Sequence, residues 1–239
     1  MPGKLPELSI FFPFWNEEEN IETIVTKAIP QAEKIADKWE IIMIDDGSAD
    51  RTLQIAKKLA EKNKNLLIYS HFPNRGYGAA LKEGLTKSKY KYIVFNDGDG
   101  QFDFSEVGKF TKLIRNSDIV IGFRKKRNDT SIIKRLLLMN LLKIWNLIFF
   151  HFYYRDIDCG FKMFTRGALN KIGPLRSEGA MITTEILTKA RKKKLKIKEV
   201  DITHYPRTRG KQSGANFPVI IRAVLESLQL WYDLHYGRA

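Results

Sequence analysis

Leu8-Ser9-Ile10-Phe11-Phe12-Pro13-Phe14-Trp15-Asn16-Glu17 is an apolar run that stops abruptly at polar residues, the form of a buried strand that delivers a polar loop. The same form recurs at Glu40–Asp45, Leu66–Ser70, Tyr92–Asp97 and Asp118–Gly122, each ending in Asp, Ser or Gly. Between these runs lie helical stretches at Glu18–Lys38, Asp50–Asn63, Gly78–Lys87 and Phe104–Arg115; in the second, Leu53, Ile55, Ala56, Leu59 and Ala60 fall roughly on one face. Regular alternation of strand and helix through residue 123 predicts an α/β fold. Its central sheet should be mostly parallel with helices on both faces, and its ligands should bind beyond the carboxyl ends of the strands.

The pattern changes after residue 123. A long apolar stretch, Leu136–Tyr154, precedes a strand-like Gly160–Thr165, a helix near Thr183–Lys194, a strand at Lys196–Ile202 and a final helix over Pro218–Tyr236. Leu136–Tyr154 approaches bilayer-spanning length but contains Asn140, Lys143, Asn146 and His151, which argues against a spanning helix. The spacing of Asn140, Lys143 and Asn146 gives one polar face, so both an interfacial helix and a core helix fit residues 136–154. There is no internal repeat and no Gly/Pro/Ser-rich linker, so one domain over 1–239 is expected.

Composition narrows the function classes. A chain of 239 residues that is 44% hydrophobic can bury a sizeable core. The single cysteine, Cys159, excludes an internal disulfide framework and a Cys-rich metal site, and suits a reducing, cytoplasmic compartment. The run Leu8–Trp15 meets Asn16 and three glutamates at once, unlike a signal peptide. Charge is uneven: residues 1–123 carry 17 Lys+Arg against 18 Asp+Glu, a net −1, while residues 124–239 carry 24 against 9, a net +15. Such a basic half could suit nucleic acid, an anionic membrane surface or a phosphorylated substrate, and a basic nucleic-acid-binding protein is the alternative outside enzymes. Nucleic acid is not expected as a partner, because no RNP, helix-turn-helix or zinc-finger pattern accompanies the charge.

Two acidic clusters stand where strands should end. In Asn96-Asp97-Gly98-Asp99-Gly100-Gln101, extended chain would turn Asp97 and Asp99 to a common side, where hard carboxylate oxygens suit Mg²⁺ or Mn²⁺ on a diphosphate. In Ile44-Asp45-Asp46-Gly47-Ser48, a carboxylate could accept hydrogen bonds from a ribose or base. A nicotinamide cofactor is excluded by position: the first strand is followed by Phe14-Trp15-Asn16-Glu17 with no glycine, and Gly76-Tyr77-Gly78 comes only after the third.

Together these segments resemble family 2 glycosyltransferases, particularly the dolichol-phosphate mannosyltransferase-like branch that charges polyprenyl phosphates. Four motifs in order carry the resemblance: Pro13-Phe14-Trp15-Asn16-Glu17, Ile44-Asp45-Asp46-Gly47-Ser48, Asn74-Arg75-Gly76-Tyr77-Gly78-Ala79-Ala80 and Asp97-Gly98-Asp99-Gly100-Gln101. Asp156-Ile157-Asp158-Cys159-Gly160-Phe161-Lys162 and His204-Tyr205-Pro206-Arg207-Thr208-Arg209-Gly210-Lys211-Gln212-Ser213 extend it over nearly the whole chain. Phe14-Trp15 departs from the family's usual small residue and Tyr.

The resemblance implies a GT-A fold and an inverting, metal-dependent transfer from a GDP- or UDP-sugar to a polyprenyl or dolichyl phosphate. Residues 1–123 would bind the donor and 124–239 the acceptor, with the enzyme peripheral on the cytoplasmic face of a membrane. Pro13, Phe14, Asn16, Glu17, Asp45 or Asp46, Asp97, Arg207 and Lys211 would bind the donor. Asp97 and Asp99 would hold Mg²⁺ or Mn²⁺, and Gln101 would sit beside the sugar. Arg124, Arg135, Arg209 and Ser213 would face the acceptor. A general base, where one is needed, falls to Asp156 first, Asp158 second and Glu185 third. A hydroxyl acceptor on a sugar or protein would need such a base; a phosphate monoester, already ionised at neutral pH, would not.

Overall fold

A computed structural model describes residues 3–125, 145, 147–150, 153–209 and 217–237. Its elements in order are β1 (Leu5–Phe14), α1 (Ile21–Ile35), β2 (Ala36–Asp45), α2 (Thr52–Lys62), β3 (Leu66–Ser70), α3 (Tyr77–Lys87), β4 (Tyr92–Asn96), a 3₁₀ turn (Phe104–Glu106), α4 (Val107–Ile114), β5 (Ile119–Arg124), β6 (Phe161–Thr165), α5 (Arg166–Ile172), α6 (Ile182–Lys192), β7 (Ile197–Ile202) and α7 (Phe217–His235). One seven-stranded sheet runs in the order β3-β2-β1-β4-β6-β5-β7. Among the described strands only β6 is antiparallel to its neighbours.

Period-two alternation explains why the sheet is covered on both sides. Ile10 and Phe12 of β1, Ile41 and Met43 of β2 and Val94 of β4 face one core, into which α1, α2 and α4 press Ile21, Val25, Ala28, Ala56, Leu59, Val107 and Phe110. Phe11, Ile42, Ile44, Ile93 and Phe95 face the other, closed by Leu81 and Leu85 of α3, Ala168 and Ile172 of α5 and Ile182, Ile186 and Leu187 of α6. The i, i+3, i+4, i+7 spacing on α1 and α4 is the helical counterpart of that alternation.

Three details differ from the sequence reading. The first helix ends at Ile35 instead of running to Lys38, because Ala36 already pairs with Leu5 and β2 extends four residues ahead of Glu40. Asp97 lies just past β4, with its N–H given to the Gly160 carbonyl at 2.9 Å. Helix α5 was not expected, although Thr165 caps its start, accepting from the Ala168 N–H, and Gly173 ends it at φ 76°. Most of the 136–154 stretch lies outside the described residues. Within it Trp145 stacks on Phe149 at 4.2 Å, Phe149 meets Trp231 of α7 edge-on and Phe150 is buried, while Leu147 and Ile148 are exposed. Among the described residues no helix is long and apolar enough to cross a membrane.

Candidate active site

Strand register gathers the acidic segments at one edge. Phe14 of β1 lies beside Asp45 of β2, which lies beside Ser70 of β3, and β4 flanks β1 on its other side. These are all carboxyl ends of parallel strands, and the sheet order reverses direction between β1 and β4, where ligands of open α/β sheets bind. The antiparallel β6 starts where β4 ends, Asn96 opposite Phe161, so it brings residues 156–160 to the same edge. After β7 the chain folds back over that edge: His204 bridges Phe102, and the Tyr205 N–H bonds the Gln101 carbonyl at 2.9 Å.

Asp97 and Asp99 form the centre. Tyr77 donates its hydroxyl to Asp97 Oδ1 at 2.9 Å, and Asp99 Oδ1 accepts the Gln101 N–H at 3.0 Å. Desolvation, then the charge of Asp99, raise the Asp97 pKa to about 7. Beside them Glu17 bonds Arg207 and accepts from Asn20 at 2.6 Å, while Arg207 Nη1 stands 3.8 Å from Asp99 Oδ2. Burial raises the Glu17 pKa in spite of these partners. Arg209 reaches the Glu19 carbonyl at 2.9 Å, and Gln101 Nε2 the Tyr205 carbonyl at 3.3 Å.

Among the described residues no three His, Cys, Asp or Glu side chains gather as a metal cage. A pair of carboxylates, one with its charge disfavoured, is nonetheless a donor set that fits Mg²⁺ or Mn²⁺, which bind through one or two carboxylates with waters and substrate phosphates completing the shell.

The two aspartates of the second cluster are distinct. Asp46 spends its carboxylate on protein: Oδ1 takes His71 Nδ1 at 2.7 Å and the Arg75 N–H at 3.0 Å, and Oδ2 the Gly76 N–H at 2.8 Å. Asp45 has Oδ1 buried with no hydrogen-bond partner among the described residues, and burial raises its pKa against hydrogen bonds from Ser48. An orphaned buried acceptor calls for a ligand donor. Asn16, at φ 54°, accepts the Ala49 N–H at 2.8 Å and gives its own N–H to Ser48, stitching the loops after β1 and β2 together. Pro13 is partly exposed at the end of β1, whereas the Phe14 ring is 2% exposed and packs in the core against Phe12.

Of the three carboxylates considered as a base, Asp156 is buried and paired with Arg124, Asp158 is exposed, and Glu185 is buried in an ion pair with Lys189 at 2.8 Å. Arg135, Lys211 and Ser213 lie outside the described residues. Two site features escaped the sequence reading. Tyr77 sits between the two glycines of the Gly76-Tyr77-Gly78 motif, and Lys162 is a fully buried lysine over the Phe95 ring that donates to the Cys159 carbonyl. Burial lowers the Lys162 pKa, while Cys159, Asp158, Asp97 and Asp156 support its charge.

A seven-stranded, mostly parallel α/β sheet carrying its carboxylates on this edge is a GT-A fold. Among solved structures the chain superposes on a mannosyltransferase from Pyrobaculum calidifontis in complex with GDP-Man and Mn²⁺, with TM-score 0.65 and 15% identity over 95% of this chain and 66% of that one. It also superposes on glucosyl-3-phosphoglycerate synthase from Mycobacterium tuberculosis in complex with Mn²⁺, UDP and glucosyl-3-phosphoglycerate, with TM-score 0.64 and 20% identity over 95% and 80% of the two chains. The family model for glycosyl transferase family 2 matches residues 9–173, and the chain belongs to that family. It is 35% identical over 221 residues to the dolichyl-phosphate beta-glucosyltransferase of Saccharomyces cerevisiae, and 29% identical over 219 residues to that of Homo sapiens, covering 82% of this chain in each case. The chain spans 66% of the length of each of these two relatives.

Proposed function

We propose that the protein transfers a sugar, with inversion, from a GDP- or UDP-sugar to a polyprenyl or dolichyl phosphate. The observation that carries this reading is the Asp97–Asp99 pair set against Glu17 and Arg207 at the carboxyl edge of the sheet. Asp45 offers its unpartnered oxygen to the nucleoside. Asp97 and Asp99 would hold a divalent cation, which when bound supplies positive charge for the departing diphosphate. Arg207 adds a guanidinium whose donors suit phosphate oxygens, and Gln101 lies where the strap from β7 crosses the site.

The state of the carboxylates favours one acceptor class. Asp156 and Glu185 are each committed to a buried cation, so neither is placed as an unencumbered base. A phosphate monoester needs none, since its second pKa near ~6 leaves it mostly dianionic at neutral pH. With Arg124 held by Asp156, direct contact with the acceptor phosphate falls to other cations of the basic half. That half also suits the anionic lipid surface in which such an acceptor resides.

The test is a transfer assay with UDP- and GDP-sugars, polyprenyl phosphate or a simple glycoside as acceptor, and Mn²⁺, Mg²⁺ or chelator. Product is expected with the lipid phosphate and metal. Asp99→Asn should abolish it while the melting temperature stays close to the parent's. Full activity in chelator would remove the metal from the reading, and transfer to the glycoside alone would overturn the acceptor.

A further inference from the structure

We infer that Tyr77 is a positioning residue for the metal and donor site, fixing Asp97 through its hydroxyl. This rests on the reading of Asp97 and Asp99 as the carboxylates that hold the cation. Each member of the pair has one oxygen pinned by the protein. For Asp99 the pin is the Gln101 N–H, a backbone group in its own loop. For Asp97 it is the Tyr77 hydroxyl, a side chain arriving from a different element.

The path by which Tyr77 arrives is itself built. Gly76, at φ 102°, makes a turn that side-chain-bearing residues rarely adopt, and the Asp46 carboxylate holds the N–H groups of Arg75 and Gly76. On the far side the Ala79 N–H bonds the Glu178 carbonyl at 3.1 Å, and a side chain on Gly78 would stand 2.5 Å from the Glu178–Gly179 backbone. Tyr77, the first residue of α3, is clamped between these two anchors. Asp46, which contributes no unengaged oxygen to the pocket, thereby acts on Asp97 through the 74–78 loop.

Tyr77→Phe removes the hydroxyl and keeps the ring. The experiment measures Mn²⁺ affinity, from the electron paramagnetic resonance signal of free Mn²⁺, for the parent, Tyr77→Phe and Asp99→Asn, with UDP and with GDP, far below the melting temperature of all three. Losing a partner that orients a metal-binding group weakens binding by roughly 10–100-fold. That weakening in Tyr77→Phe, at a melting temperature matching the parent's, is the expected result. Parental Mn²⁺ affinity in Tyr77→Phe alongside loss in Asp99→Asn would overturn the role of Tyr77 and leave the metal reading standing. A parent that binds no Mn²⁺ with either nucleotide would remove the metal reading, and the inference with it.

Discussion

Arg124 closes on both oxygens of Asp156, Nε to Oδ2 at 2.6 Å and Nη2 to Oδ1 at 2.8 Å, and its backbone N–H adds a third bond to Oδ2 at 3.2 Å. Both side chains are buried. Burial works against the Arg124 charge, but the bonds and charge of Asp156 outweigh it and raise the guanidinium's pKa. The pair joins the end of β5 to the loop that enters β6, which gives Asp156 a structural task.

Asp156→Asn should therefore destabilise the protein, by about 3–5 kcal/mol, because a buried guanidinium loses its counter-charge. Urea denaturation of the two proteins measures this. If the acceptor is a lipid phosphate, the pH dependence of kcat/KM should keep its acidic limb in the variant. A general base would instead be worth about 10²–10⁴-fold, and the limb would vanish with it. Asp158→Asn, an exposed change, serves in parallel; loss of the limb in either variant would argue for a hydroxyl acceptor.

Gly160 bears on the other side of the site. A Cβ there would stand 1.8 Å from Asp97 Oδ2 and 2.0 Å from its Cγ, so even alanine must displace the carboxylate. A displacement of about 1 Å in a reacting constellation can lower the rate by roughly 10²-fold. Gly160→Ala should lose transfer on that scale while far-UV circular dichroism still reports the native fold. Parental kcat/KM in this variant would mean that the position of Asp97 does not matter to the reaction.

Much of this edge could be read from the chain because the information is local. Apolar runs that end in Asp announce both a strand and what it delivers, and β3 was placed at Leu66–Ser70 to the residue. What could not be read is pairing between distant segments. Nothing in Asp45-Asp46 says that one aspartate keeps an unmet oxygen while the other is consumed by His71, Arg75 and Gly76, since those partners lie about one strand and one loop away. The same holds for Phe14, whose ring is assigned to the core by strand alternation, and for Tyr77, whose value depends on where Asp97 sits. The antiparallel insertion of β6 between β4 and β5 is likewise a property of topology, and it alone explains how Gly160 meets Asp97.

Cys159 offers a check on that packing. Its thiol is fully buried, and desolvation pushes its pKa up to about 12 despite the nearby Lys162 charge. Because the thiolate is the reactive form, the native protein should react negligibly with a disulfide reagent at pH 8, and one thiol per chain should appear on addition of denaturant. Rapid titration of the native thiol would mean that the loop over residues 156–160 opens readily.

Glu185 gives the clearest prediction of pH-dependent stability. Its carboxylate is buried, pairs with Lys189 at 2.8 Å, and accepts the N–H groups of Ser177 at 2.8 Å and Arg176 at 2.9 Å, tying the start of α6 to the preceding segment. Burial alone would raise its pKa; the Lys189 and backbone bonds outweigh that and the net direction is down. The unfolded chain thus binds this proton more readily than the folded one. The ionised group's contribution is fully present above the ordinary glutamate value of about 4.3 and is lost as pH falls through the lower folded value. Glu185→Gln removes the contribution and strands a buried Lys189, at a cost of about 3–5 kcal/mol at neutral pH. Urea denaturation of parent and variant between pH 7 and pH 3 should show a gap that is constant at the upper end and narrows below about pH 4.3, where the unfolded parent begins to take up the proton that its folded form still resists. A gap that stays the same down to pH 3 would show that Glu185 supports α6 by shape and not by charge.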